Sequence, residues 1–378
     1  MVTNVCRVCH QALFKKALLR YEGMPKSAQF FPDAENVQDD QGETLDVCQC
    51  SGCGLVQLNN SPVSYYREVI RAASVSVEME KFRLNQFEQW IKKYALAGKK
   101  IIEVGCGAGE FMRIMAVNNV DLYGLEQGSE SVSKCLDHGF DIENGFIEYK
   151  TQKLENSPFD AFYMLNFLEH LPDPNTVLKG VSHNLVEGAI GLIEVPNFDM
   201  IIRNNLFSEF ISDHLFYFTK ETFISTLHRN GFDVLECSEV WQDYSISAVI
   251  KKRGKTDLSK LALMQSRLKM ELSEYIAQYP SDSVAIWGAG HQALAVMSLT
   301  ELKGKIKYVI DSAEFKQNKY TPATHIPIVS PNKIKEIPVK AVIVMAASYS
   351  DEVVAILSER YAEVHISVLR ADGLEVVK

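Results

Sequence analysis

Short apolar runs alternate along the chain with amphipathic stretches. Over residues 78–96, Met79, Phe82, Leu84, Phe87, Trp90, Ile91 and Tyr94 recur at near-helical spacing, which predicts a packed helix. The period then changes. Lys100-Ile-Ile-Glu-Val is a short buried strand running into Gly105, Gly107 and Gly109 and then a helix. Residues 121–126 read as a second strand, 159–165 as a fourth and 189–195 as a fifth, with 231–241 and 244–251 as a closing pair. Another strand, glycine turn and helix starts at Ser283-Val-Ala-Ile-Trp-Gly288-Ala-Gly290-His291, and 305–310 predicts a strand ending at Asp311. Strands alternating with helices imply an α/β chain with two successive Rossmann-like domains. At 378 residues the chain is too long for one core. At about 150 residues per domain it suits two domains plus a module, divided at 1–60, 61–254 and 255–378.

Composition narrows the class. With 47% hydrophobic and 23% charged residues, disordered and fibrous proteins are excluded. No apolar run approaches the roughly 18 to 20 residues that span a bilayer, and Met-Val-Thr-Asn-Val-Cys lacks a basic region followed by an apolar one. A cytoplasmic protein without a membrane partner is expected. A net charge of −9 argues against nucleic acid polymers, whose binding needs many neutralised phosphates. A small anionic ligand stays compatible, because a helix N-terminus and one or two basic residues suffice for it.

Five of the eight cysteines fall within the first 53 residues. Cys6-x-x-Cys9 and Cys50-x-x-Cys53 have the two-residue spacers that point both thiolates of a knuckle at one tetrahedral ion, and Gly52 and Gly54 permit the tight turn. This predicts a structural zinc site of Cys6, Cys9, Cys50 and Cys53, with Cys48 as an alternative to Cys50 and His10 as a spare donor. Four thiolates leave no open position for catalysis.

A lone G-x-G-x-G is weak, since any tight strand-to-helix turn can use glycine. Here Glu103 precedes Gly105 by two residues, and Glu126 ends the next strand about twenty residues later. A carboxylate at that place can accept hydrogen bonds from both ribose hydroxyls of an adenosine ligand. Glu103-x-Gly105-x-Gly107-x-Gly109 resembles the first motif of class I S-adenosylmethionine (SAM) methyltransferases. That resemblance makes SAM the expected cofactor, held by Glu103, Gly105, Gly107, Gly109, Glu126, Gln127 and Asn166. Asn166, His170, Glu194 and Asn197 stand at the ends of the fourth and fifth strands, which in this fold face the crevice.

Over the whole chain a longer order emerges. Cys-Arg-Val-Cys, then Cys-x-x-Cys-Gly-Leu-Val-Gln-Leu, the SAM loop, Asn166-x-x-x-His170 and Asp213-His214-x-x-Tyr-Phe-Thr precede Trp287-Gly-Ala-Gly290 and Lys-x-x-Lys-Tyr-x-Pro-x-Thr-His-Ile-Pro-Ile-x-Ser-Pro. Together they resemble nucleotide-sugar C-methyltransferases, which methylate keto-deoxysugar nucleotides. The resemblance implies a zinc module, a SAM domain with a seven-stranded sheet, and a second Rossmann-like domain that helps hold the substrate without a dinucleotide of its own. The implied substrate is a 4-keto-6-deoxy sugar linked to dTDP, GDP or CDP, methylated beside its ketone, at C3. O- or N-methylation of a nucleotide sugar or other small molecule is the alternative.

Carbon is a poor nucleophile unless a neighbouring carbonyl acidifies its C–H, so the reaction needs a base and donors to the enolate oxygen. His214 is the candidate base and Asn166 the candidate donor, both at positions the resemblance makes functional. Asp213 replaces the family's glutamate and is a third candidate; consecutive residues of an extended segment project to opposite sides, so it need not orient His214 and is directed instead at a sugar hydroxyl. His170 stands as a second base, a SAM neighbour or a capping residue. The family's Tyr-His-Glu-His reads Ile211-Ser212-Asp213-His214 here, and its Gly-Gly-Ser reads Tyr244-Ser-Ile-Ser. A rebuilt sugar pocket follows, for which Tyr66 and Arg71 are further candidates.

Overall fold

The computed structural model describes residues 3–29, 31–68 and 75–378. It divides into two compact units, Met1–Gly254 and Lys255–Lys378.

In the first unit, β4 (Lys100–Val104), β5 (Asp121–Glu126), β6 (Asp141–Asn144), β7 (Phe159–Leu165), β8 (Leu185–Pro196), β10 (Phe232–Val240) and β11 (Ser245–Lys252) form a seven-stranded sheet ordered β10-β11-β8-β7-β4-β5-β6. Pairings from β6 through β8 are parallel, and β11 closes antiparallel on β8 and β10. The chain winds outward from β4 through β5 and β6, then restarts on the other side with β7 and β8. The crevice at the carboxyl ends of β4 and β7 is the switch point where ligands bind in such sheets. The short β6 escaped sequence reading, because Asp-Ile-Glu-Asn carries a single apolar residue.

The predicted helix at 78–96 is Val77–Lys93. Ser76 caps it by accepting from the Met79 N–H at 3.2 Å, Glu78 and Glu80 sit in its first turn, and Lys92 and Lys93 in its last, matching the helix dipole. Phe87, Trp90 and Ile91 are buried as the pattern predicts. Arg83 is buried too, at 1% exposure, in a 2.5 Å ion pair with Glu194 of β8.

The cysteine-rich segment packs onto this unit. Its strands β1 (Leu19–Met24), β2 (Glu43–Gln49) and β3 (Val56–Leu58) make a sheet completed by β9 (Phe216–Tyr217), with Val56 opposite Tyr217 and Gln57 opposite Phe216. Cys6, Val8, Cys50 and Leu55 share one apolar core with Val104, Met164 and Phe167.

The second unit carries β12 (Val284–Trp287), β13 (Val309–Ile310), β14 (Lys319–Tyr320), β15 (Pro327–Val329), β16 (Ala341–Val344), β17 (His365–Arg370) and β18 (Gly373–Val376), ordered β14-β15-β13-β12-β16-β17-β18. The strand predicted at 305–310 is only its last two residues, because Lys305 and Lys307 sit on the approach to the sheet. Gly288 has φ +124°, and a Cβ there would lie 2.3 Å from the Met345 carbonyl oxygen, so this turn requires glycine. Asp311 accepts from the Ala289 and Ala313 N–H groups and from Lys316 Nζ, each at 2.9 Å. No helix among the described residues is long and apolar enough to cross a membrane.

Removing one partner of a buried ion pair strands the other charge in an apolar setting. Arg83→Met is expected to cost about 3–5 kcal/mol in denaturant unfolding, and Glu194→Gln in the same chain to recover part of it. Equal stability of Arg83→Met and wild type would contradict the pairing.

Candidate active site

The loop after β4 runs through three left-handed glycines, Gly105 at φ +75°, Gly107 at +56° and Gly109 at +78°, into the helix Glu110–Met115. A Cβ on Gly105 would come within 2.6 Å of the Phe167 ring, so the loop touches the end of β7 only because position 105 has no side chain. Glu126, at the end of β5, accepts from the Gly107 N–H at 2.9 Å and the Gly128 N–H at 2.8 Å. Its carboxylate thus ties the β4 loop to the β5 loop. Gly105, Glu126 and Gln127 line one narrow crevice with Phe146 and Phe167. Glu103 lies beneath it, fully buried, and accepts from the Tyr163 hydroxyl at 2.9 Å.

Phe167 also walls a second, larger cleft of about 280 Å³, which brings together Asn166, Glu169, His170, Asp213 and His214. Asn166 adopts φ +50° where β7 ends, a conformation asparagine tolerates, and its buried Oδ1 has no hydrogen-bond partner among the described residues. Its side chain is therefore uncommitted. Of the other strand-end candidates, Glu194 is bound to Arg83 and Gln86. Asn197 caps the helix Phe198–Arg203 and donates to the Asp243 carbonyl at 2.8 Å, so both hold structure.

Asp213 faces away from an orienting role on His214. Its Oδ1 accepts from the Tyr65 hydroxyl at 2.5 Å and its Oδ2 from the Ala28 N–H at 3.0 Å. Its carbonyl lies 2.9 Å from His170 Nδ1, which fixes Nδ1 as the protonated nitrogen of a neutral ring and leaves Nε2 as an acceptor. The His170 and His214 rings meet edge to face at 4.8 Å. Burial, and secondarily the neighbouring His170, pulls His214 down to about 3, so its imidazole is neutral at physiological pH. Burial likewise lowers His170.

Glu169, unremarked in the sequence, is the unexpected member of the cluster. It is 1% exposed, neither carboxyl oxygen has a hydrogen-bond partner among the described residues, and burial pushes it up to about 8. Its Oε1 lies 3.8 Å from His170 Nε2, and donor atoms of Glu169, His170 and His214 fall within 4.8 Å of one another. An acid beside a histidine is common in sequence, and only its burial marks this one. Tyr66 lines the cleft and packs edge-on against Phe146, while Arg71 lies outside the described residues.

Away from the cleft, the Sγ atoms of Cys6, Cys9, Cys50 and Cys53 lie within 4.8 Å of one another, with Cys6–Cys53 at 3.7 Å and Cys9–Cys50 at 3.3 Å. A tetrahedral ion with metal–sulfur bonds of about 2.3 Å needs about 3.8 Å between sulfurs. The Val8 and Cys9 N–H groups point at Cys6 Sγ, and those of Gly52 and Cys53 at Cys50 Sγ, at 3.3–3.4 Å. Such bonds favour thiolates, and the four cysteines are close enough to bind a metal. Cys48 is buried in β2 and His10 is exposed; neither belongs to the group.

Glu169 keeps its proton in the folded state from about pH 4.5, where an exposed carboxyl would lose it, to about 8. The folded state binds the extra proton there, so stability falls as pH rises through that window, by at most about 1.4 kcal/mol per unit. His214 acts in the opposite sense, withdrawing stability as pH falls from 6.5 towards about 3. Thermal unfolding of Glu169→Gln should match wild type near pH 5 and exceed it near pH 8. Parallel pH profiles for the two proteins would contradict the burial of an unpaired acid.

Two family models match the chain, a methyltransferase domain over residues 79–237 and a C-methyltransferase C-terminal domain over 258–365. The chain is 21% identical to the C-methyltransferase NovU of Streptomyces niveus over 92% of this chain and 91% of that protein. It is 33% identical to a ubiquinone biosynthesis O-methyltransferase of Pseudomonas syringae pv. tomato, over 26% of this chain and 44% of that one, so this match spans less than half of the relative. Among solved structures, a SAM-dependent methyltransferase from Clostridium acetobutylicum aligns at TM-score 0.38 and 13% identity, covering 46% of this chain and 92% of that one. The two domain matches and the near full-length relative mark the chain as an enzyme, a SAM-dependent methyltransferase.

Proposed function

We propose that this enzyme transfers a methyl group to the carbon beside the ketone, C3, of a 4-keto-6-deoxy nucleotide sugar linked to dTDP, GDP or CDP, in the biosynthesis of branched deoxysugars. The supporting observation is the cleft itself, where neutral His214 and uncommitted Asn166 stand beside the glycine-loop crevice across one shared wall, Phe167. The order of motifs along the chain supports the sugar class.

Bound SAM supplies a methyl group on a sulfonium sulfur, open to attack by carbon. Gly105, Gly107 and Gly109 are assigned to its backbone cradle and Glu126 to its ribose hydroxyls, with Glu103, Gln127 and Asn166 completing the site. His214 takes the proton from the acidified carbon; desolvation keeps its ring in the neutral form a base needs while weakening its hold on the proton. Asn166 donates its amide N–H to the enolate oxygen. Asp213 serves by holding Tyr65 and His170 in place. Residues 255–378 are assigned to gripping the nucleotide sugar. Zinc is assigned to Cys6, Cys9, Cys50 and Cys53 as a structural cross-link, since four thiolates at this spacing suit a closed tetrahedral shell.

With SAM and a panel of 4-keto-6-deoxy nucleotide sugars, mass spectrometry is expected to show the gain of one methylene. In deuterium oxide the substrate's α-hydrogen should exchange, and His214→Ala should slow exchange at least about 100-fold while still binding SAM. Full turnover by a folded, SAM-binding His214→Ala enzyme would sink the assignment of the base.

Elemental analysis is expected to find one zinc per chain, absent from Cys50→Ser. Because β3 follows the second knuckle and pairs with β9 beside His214, loss of the metal should lower both the unfolding temperature and kcat. A zinc-free chain with unchanged kcat would refute this coupling.

A further inference from the structure

A base withdrawn from bulk water has an electrostatic problem. When His214 takes a proton its ring becomes a cation, and the burial that keeps it neutral at rest then works against the reaction. Some buried anion must face the new charge. From the strand β8, Glu194 is spent on Arg83. From the loop before β9, the Asp213 carboxylate is spent on Tyr65 and Ala28. Glu209 accepts from the Tyr244 hydroxyl at 2.9 Å, and Glu68 is exposed at the cleft's edge. Glu169 remains, buried, with both oxygens unpartnered among the described residues and within 4.8 Å of His170 and His214.

We infer that Glu169 is a positioning residue of the reaction, the buried counter-charge that stabilises the imidazolium formed on His214. The inference rests on the reading of His214 as the base. In the step, which runs in the fraction of enzyme whose Glu169 has already released its proton to solvent, the C–H electron pair stays on the substrate as the enolate, the proton adds to the imidazole lone pair, and the Glu169 carboxylate faces the new cation. The backbone sets the distance, since the Leu215 N–H donates to the Glu169 carbonyl at 2.8 Å and clamps the His214 loop against the turn Leu168–His170. Burial holds this carboxyl at about 8, so its ionised fraction grows as pH rises towards that value. Turnover should therefore rise with pH through this region.

The test compares the pH dependence of turnover in wild type, Glu169→Gln, Glu169→Asp and His214→Ala. Wild-type kcat is expected to rise about tenfold per pH unit below about 8 and to level off above it, as Glu169 ionises, and Glu169→Gln is expected to lose that rise. With a dTDP-4-keto-6-deoxy sugar, Glu169→Gln should lose at least about 100-fold in kcat, with KM and SAM affinity unchanged, and Glu169→Asp should restore part of it. A Glu169→Gln enzyme that keeps the wild-type kcat and its pH dependence would overturn the inference. So would wild-type turnover that requires added magnesium or manganese and is lost in Glu169→Gln, because the three groups would then be metal ligands. If His214→Ala keeps α-hydrogen exchange, the base assignment itself fails; if it loses exchange while Glu169→Gln keeps the wild-type pH profile, only the counter-charge fails.

Discussion

The antiparallel pairing of Val56 and Gln57 with Tyr217 and Phe216 is the contact on which the site depends. His214 sits two residues before that pairing, on a loop with little regular structure of its own. The same loop is held from the other side by Ser212 donating to the Pro25 carbonyl and by Asp213 binding Tyr65 and Ala28. All these partners belong to the first 65 residues. The cysteine-rich segment is thus a brace: its knuckles fix the turn that leads into β3, and β3 fixes the loop that carries the candidate base. A segment poor in large apolar residues would hold such a strand weakly without a cross-link, which gives four closely grouped thiols a mechanical purpose.

The sheet supplies the other half of the site. Reversal of winding between β4 and β7 opens the crevice, and Gly105 lets the first loop lie against Phe167. One aromatic ring then separates the narrow glycine-loop crevice from the larger cleft. That arrangement suits transfer of a methyl group between two ligands. It also creates the site's electrostatic tension, because burial lowers His214 and His170 and raises Glu169.

Much of this was legible in the sequence. The strand before Gly105, the strands ending at Glu126 and Leu165, the closing pair and the four cysteines follow from local pattern, because short buried strands, glycine turns and two-residue knuckles are set by neighbours in the chain. What escaped depends on distant partners. β6 has a single apolar residue and exists because β5 offers it an edge. Arg83 interrupts an apolar face and is tolerated there by Glu194, more than a hundred positions away. Asp213 reads as a ligand for a sugar hydroxyl, yet its carboxylate is claimed by Tyr65 and Ala28. Glu169 reads as an ordinary acid in Leu-Glu-His, and only burial without a partner gives it meaning.

Every role proposed for the cleft requires the methyl group to land on carbon. Reaction with SAM carrying a 13C-labelled methyl group, followed by carbon NMR of the purified sugar nucleotide, tests it most directly. The expected result is a methyl resonance correlated to a ring carbon next to the carbonyl, with no change at any hydroxyl. A labelled methyl bonded to oxygen or nitrogen would contradict it.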